Sequence, residues 1–136
     1  MNMKILRGTI FGGIAFFLIG WLVWGILLMD FSMNNYDQSV YRPEDEMIWW
    51  AMIFSNLILA LFLTLFMKWG QAKTIINGMK IGAIFGALYA LSIDLGFYSM
   101  TKMLLNASAI LVDALAYVVV SGLTGLIIVL TWGKKE

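Results

Sequence analysis

The sequence predicts an all-α integral membrane protein, a single-domain four-helix bundle of up-down topology over residues 1–136. Three observations predict it. The chain is 62% hydrophobic and only 12% charged, against about 25% charged residues in a typical soluble domain, so too little charge is available to coat a water-soluble fold of this length. Four mostly apolar stretches without proline each reach the roughly 20 residues that a helix needs to cross a hydrocarbon core about 30 Å thick. Alternation at period two is weak throughout, which argues against a membrane β-barrel.

The first span, 8–29, carries no charge. Lys4 and Arg7 precede it as they would in a signal peptide. Its apolar run of about 22 residues exceeds the usual 7–15, and no small-residue cleavage site follows Met29, so it reads as a retained first helix. The loop 30–46 holds five acids (Asp30, Asp37, Glu44, Asp45 and Glu46) and the only proline, Pro43. Pro43 suits a first helical position and the acids behind it suit a first turn, so the second helix is expected to begin there, ahead of the uncharged span 47–67. The same loop, with Tyr36 and Tyr41, is expected to pack over the outer mouth of the bundle. The third span, 81–100, contains Asp94, and the fourth, 107–132, contains Asp113. Asn106 or Ser108 is expected to cap the fourth. Trp49 and Trp50 are placed at the outer interface and Trp69 and Trp132 at the inner one, as an aromatic belt requires. Asn106-Ala107-Ser108 matches a glycosylation sequon but lies too close to the membrane to be read as one.

Orientation follows from positive charge. Lys4, Arg7, Lys68, Lys73, Lys80, Lys134 and Lys135 fall on one side, and only Arg42 and Lys102 on the other. The positive-inside rule then places both termini in the cytoplasm of a multi-pass protein of the cell (inner or plasma) membrane. A net charge of +1 with no clustered basic face excludes nucleic acid as a partner. Without cysteine or histidine, disulfides, zinc–thiolate sites, iron–sulfur clusters and histidine-ligated haem are excluded, and the usual general base is missing. No cofactor and no metal is expected.

Lipid supplies no hydrophobic push between helices, so small residues mark where backbones meet. Gly13 and Gly20 share nearly one face of the first span with Trp24. Ala83, Ala87 and Ala90 form a stripe on the third that leads to Asp94, and Gly78, Gly82 and Gly86 form a second stripe beside it. The expected role is packing within the bundle, with a homo-oligomer seam as the sharper alternative. Gly8-x-x-x-Gly12-Gly13 is echoed by Gly78-x-x-x-Gly82-Ala83, a pattern consistent with parallel repeated hairpins or with chance.

Two aspartates within the membrane carry most of the functional information. Each costs about 2.5–3.5 kcal/mol at a helix centre on the insertion scale, and such residues are functional candidates by default. At 1.5 Å per residue, Asp94 and Asp113 lie about 10 Å and 9 Å below the outer ends of their spans, and Asn56 about 13 Å. Tyr98 and Tyr117 follow the two acids by four residues, the spacing of a shared helical face, and Trp24 lies near the same level. Asp94, Asp113, Asn56, Tyr98, Tyr117 and Trp24 are therefore the expected binding or proton site. No lysine or arginine accompanies them inside the membrane. Two acids in a dry site do not readily both ionise, so one is expected to hold a proton unless a cation binds. In the competing reading the acids are hydrogen-bonding glue between helices.

Catalysis is not expected. The Gly-x-Gly-Asp and Tyr-Asp motifs of intramembrane aspartyl proteases are absent around Asp94 and Asp113, and a serine nucleophile would find no base. Glu44-Asp45-Glu46 lacks EF-hand spacing, and the ten methionines sit at apolar positions as packing residues.

Gly20-Trp21-Leu22-Val23-Trp24-Gly25 near the outer end of the first span, followed by an outer loop and three further spans, resembles small four-helix bacterial inner-membrane protein families of unknown function. The resemblance implies the topology, no activity and no residue roles. Small multidrug transporters keep a first-helix glutamate that this chain lacks, and fluoride channels carry polar and arginine motifs missing here. The expectation is proton- or cation-linked transport or binding of a small solute through the paired aspartates, or else a structural or interaction subunit of a membrane complex.

Overall fold

The computed structural model describes residues 3–133. Among them the regular structure is helical: α1 (Met3–Leu22), a π-helical turn (Val23–Leu27), α2 (Met29–Asn35), α3 (Trp49–Trp69), α4 (Ile75–Met100) and α5 (Ser108–Trp132). α1 with its π turn, α3, α4 and α5 are each long and apolar enough to cross a membrane.

Two helix starts differ from expectation. Pro43 does not open the second long helix. Glu44–Glu46 forms a lone 3-10 turn, Met47 is extended, and α3 starts at Trp49. The three acids are exposed, so no burial offsets the entropy of propagating that turn, and short unpacked helices do not persist. α4 begins at Ile75, ahead of the expected residue 81, because the Thr74 hydroxyl accepts the Asn77 N–H at 3.1 Å and caps it. The α3–α4 turn is closed by Gln71 at φ 57°, with the Ala72 N–H on the Met67 carbonyl at 2.9 Å. This is a left-handed helix stop that usually employs glycine. At α5 the Asn106 side chain accepts the Ala109 N–H at 3.2 Å and also takes the Ser108 hydroxyl.

Small residues set how the helices meet. Gly8, Gly12 and Gly13 of α1 lie against Thr64, Ala60 and Leu57 of α3. Gly78, Gly82 and Gly86 of α4 lie against the backbone of Gly125, Ser121 and Tyr117 of α5. Numbers rise on one helix as they fall on the other, so both pairs run antiparallel. α1 also packs antiparallel on α5: Gly8 and Gly12 meet Ile128, and the Trp132 indole donates to the Lys4 carbonyl at 2.9 Å. Ala90 is buried and Ala83 faces Gly122, while Ala87 is half-buried at the edge of the stripe. Gly20 approaches no other helix; the space a side chain would take there is filled by the Trp24 ring.

α5 is the central helix, with half of its most apolar window buried against 22–28% for the other three. Leu63, Met67, Val120 and Ile128 are fully enclosed, as are Thr64 and Thr124, whose hydroxyls donate to carbonyls four residues back at 2.7 and 2.8 Å. α3 and α4 meet only loosely, through Phe62 and Phe66 against Phe85 at ring distances of 5.2 and 5.4 Å. The two glycine-led hairpins are therefore not symmetry mates in their contacts, since α1 packs on α5 but α3 does not pack equivalently on α4. Trp49, Trp50 and Trp69 are exposed, but Trp132 is turned inward. Its N–H finds the Lys4 carbonyl, and Lys4 Nζ stands 4.9 Å above its ring.

Candidate functional site

Asp94 is the one buried charged residue type among the described residues, 8% exposed on the α5-facing side of α4. Its Oδ2 is enclosed with no hydrogen-bond partner. Asp113 of α5 is part-buried, and its Oδ1 accepts the Trp24 indole N–H at 2.9 Å. The register pairing Gly86 with Tyr117 puts Asp113 level with Ala90, so Asp94 stands about one turn, roughly 6 Å, nearer the helix junction. The two acids are not at one height, as their depths along the spans suggested. Side chains lean toward the N-terminus of their own helix. On antiparallel α4 and α5 that tilt carries the two carboxyls toward each other and narrows the offset, and both line the same cavity.

Trp24 reaches Asp113 because of the π turn. The Leu28 N–H bonds the Val23 carbonyl at 2.8 Å, one residue further than in an α-helix, and such single π turns re-aim side chains. Gly20 leaves room for the ring one turn below. The Trp24 ring meets Tyr117 at 4.7 Å, Tyr117 meets Tyr89 at 5.4 Å, and Tyr89 stacks on Phe85 at 6.0 Å. An aromatic row thus runs from the acids into the bundle.

Above the acids lies a cavity of about 480 Å³. Trp24, Asp94, Asp113 and Tyr117 form its floor, and Tyr36 and Tyr41 contribute from the segment after α2. No lysine or arginine lines it. The loop packs over the mouth of the bundle, held by backbone bonds from Asp37 to Met103 at 2.8 Å and from Leu105 to Asn35 at 2.9 Å, and by Asn106 donating to the Asn35 side chain at 2.6 Å. Burial first, then the negative charges of Asp113 and Asp94, push the Tyr36 phenol above its ordinary value. Tyr41 moves the same way for the same two kinds of cause, burial and Asp113. Asp37, outside the cavity, is held below its usual range by the Ser39 hydroxyl and N–H.

Of the six residues expected to converge, four do. Asn56 does not: it lies in a separate cleft of about 500 Å³ between α1 and α3, its amide donating to the Met52 carbonyl at 2.9 Å. The Trp24 ring borders both spaces and separates them. Tyr98 does not either; it is 42% exposed on the outside of α4. Four residues advance a helix by about 400°, so each step drifts about 40°. Asp94 is the last buried residue of its stripe, and one further step carries Tyr98 clear of α5. Tyr36 and Tyr41, which line the cavity with the acids, and Tyr89, which stands behind Tyr117, were not among the expected site residues, although the loop itself was expected over the mouth of the bundle. The loop tyrosines were visible in the sequence, but their approach depends on the Tyr36–Leu104 bridge, a long-range pairing without a local signal. No protein-family model, curated protein or solved structure matches this chain.

Proposed function

We propose that this chain is an up-down four-helix protein of the cell membrane, both termini cytoplasmic, that binds or moves a small solute or cation at the paired aspartates in exchange for a proton. The carrying observation is the partnerless Oδ2 of Asp94, enclosed beside Asp113 in a cavity that no basic residue lines. A buried acid left without a partner is costly, and two adjacent ones more so. A proton on the empty pair supplies the missing partner, and a cation in the cavity offsets the charge of the pair instead. The cavity opens toward the side of the α4–α5 turn, which the charge distribution makes the outer side.

Proteoliposomes with opposed pH and cation gradients test this. Asp94→Asn and Asp113→Asn keep shape and hydrogen bonding but cannot exchange charge. Each is expected to lower proton-coupled flux by at least about tenfold, equivalent to roughly 1.4 kcal/mol. Full flux from a folded double variant would refute the proposal.

The Trp24–Asp113 bond favours a second reading, in which the acids only tie α1 to α5 within a subunit of a larger membrane complex. There the asparagine variants retain the phenotype, whereas Trp24→Phe, which removes the bond, lowers stability by about 1 kcal/mol.

A further inference from the structure

We propose that the occupant of the cavity is a small primary organic ammonium ion, its N–H groups on the carboxyl edges that Asp94 and Asp113 present to the cavity and its carbon body among the aromatic rings. This rests on reading the paired aspartates as a solute site. Charge sets the sign of the ligand. The titratable groups facing the pair are Tyr117 from α5 and Tyr36 and Tyr41 from the loop, with Tyr89 of α4 behind Tyr117. Phenols do not neutralise a carboxylate, so a cation is the species that restores balance.

The lining then separates an organic cation from a metal ion. A hard cation such as calcium takes six to eight oxygen ligands, and no group of three His, Cys, Asp or Glu gathers anywhere among the described residues. The space of about 480 Å³ is that of a small-molecule site, far larger than a bare ion. Its wall includes Trp24, Tyr117, Tyr36 and Tyr41, with Phe97 and Met103. Aromatic faces attract ammonium groups by cation–π interaction, and the apolar wall covers the attached carbon chain.

Hydrogen bonding separates a primary from a quaternary ammonium. Asp113 Oδ1 is already engaged by Trp24, while Asp94 Oδ2 accepts nothing. An ammonium with N–H donors hydrogen-bonds the carboxyl edges that line the cavity and balances the buried charge behind them; a tetraalkyl group makes no such bond. On entry the cation takes the place of the proton held by the pair, which leaves to solvent, one charge in for one charge out.

Calorimetry on the full chain in lipid nanodiscs, at neutral pH, tests the assignment with butylammonium, tetramethylammonium, 1-butanol, sodium and calcium. Butylammonium is expected to bind saturably with release of a proton, read from buffers of different ionisation enthalpy. Tetramethylammonium and 1-butanol are expected to bind at least about tenfold more weakly. Asp94→Asn should lose at least about tenfold in butylammonium affinity. Tyr41→Leu, which alters only the loop above the helices, should lose about threefold. Butylammonium binding equally to Asp94→Asn, or no more tightly than 1-butanol, overturns the inference. Sodium or calcium binding in an Asp94-dependent way without butylammonium overturns it too, but leaves the paired-aspartate site intact. If no ligand binds and flux ignores both aspartates, that site falls as well.

Discussion

At the scale of single residues, Asp113 and Asp94 have different surroundings although both lie in adjacent helices apolar enough to cross a membrane. Asp113 is held by the Trp24 indole, whereas Asp94 keeps an enclosed, partnerless oxygen. Tyr36 reports on the pair from outside the helices. Its phenol is raised by burial, then by Asp113 and Asp94. The folded state therefore holds that proton longer than the unfolded chain does. The resulting contribution to stability is complete below the ordinary phenol value near 10 and is lost as pH climbs beyond it. Phenolate absorbance of wild type minus Tyr36→Phe should show Tyr36 ionising after the exposed tyrosines, and Asp113→Asn should bring it back toward them. Ionisation together with the exposed phenols would mean that the loop does not cover the acids.

Among the elements, α4 separates two uses of glycine. A methyl at Gly82 would collide with the Ser121 carbonyl of α5, a backbone atom that cannot rotate aside, whereas a methyl at Gly96 would touch nothing. Gly82→Ala is expected to cost about 1–3 kcal/mol by overpacking. Gly96→Ala is expected to stabilise by about 0.5–1 kcal/mol through helix propensity. Thermal denaturation in one detergent compares them directly, and equal effects would contradict the tight α4–α5 seam. Sequence showed that Gly78, Gly82 and Gly86 form one face of a helix. It did not show that Gly125 and Ser121 receive them, because spacing within one helix is local and the partner's register is not. The same limit explains Trp132, whose place at the end of α5 is legible in the sequence but whose rotation into the bundle depends on where α1 lies.

For the whole molecule, α5 is packed by both α1 and α4, and α3 joins chiefly through α1. This arrangement brings the ends of α1, α4 and α5, with the loop after α2, around one cavity and leaves Asn56 on the far side of Trp24. The proposed orientation in the membrane is open to a clean test because the chain has no cysteine. In intact cells Ser39→Cys should react with a membrane-impermeant maleimide, and Lys73→Cys should react only after permeabilisation. The reverse pattern would invert the topology and point the cavity into the cell.

Composition and run length by themselves determined that this chain is helical, with four segments apolar enough to cross a bilayer, because the cost of exposing backbone or charge to lipid is paid segment by segment. They also marked Asp94 and Asp113 as residues needing a reason to be there. Only the tertiary structure decided which groups supply that reason. The offset between the acids, the closing lean of their side chains, the π turn that swings Trp24 onto Asp113, and the tyrosines above them all depend on the register of antiparallel helices. Register is set by contacts between glycines and carbonyls far apart in the chain, which no local periodicity encodes.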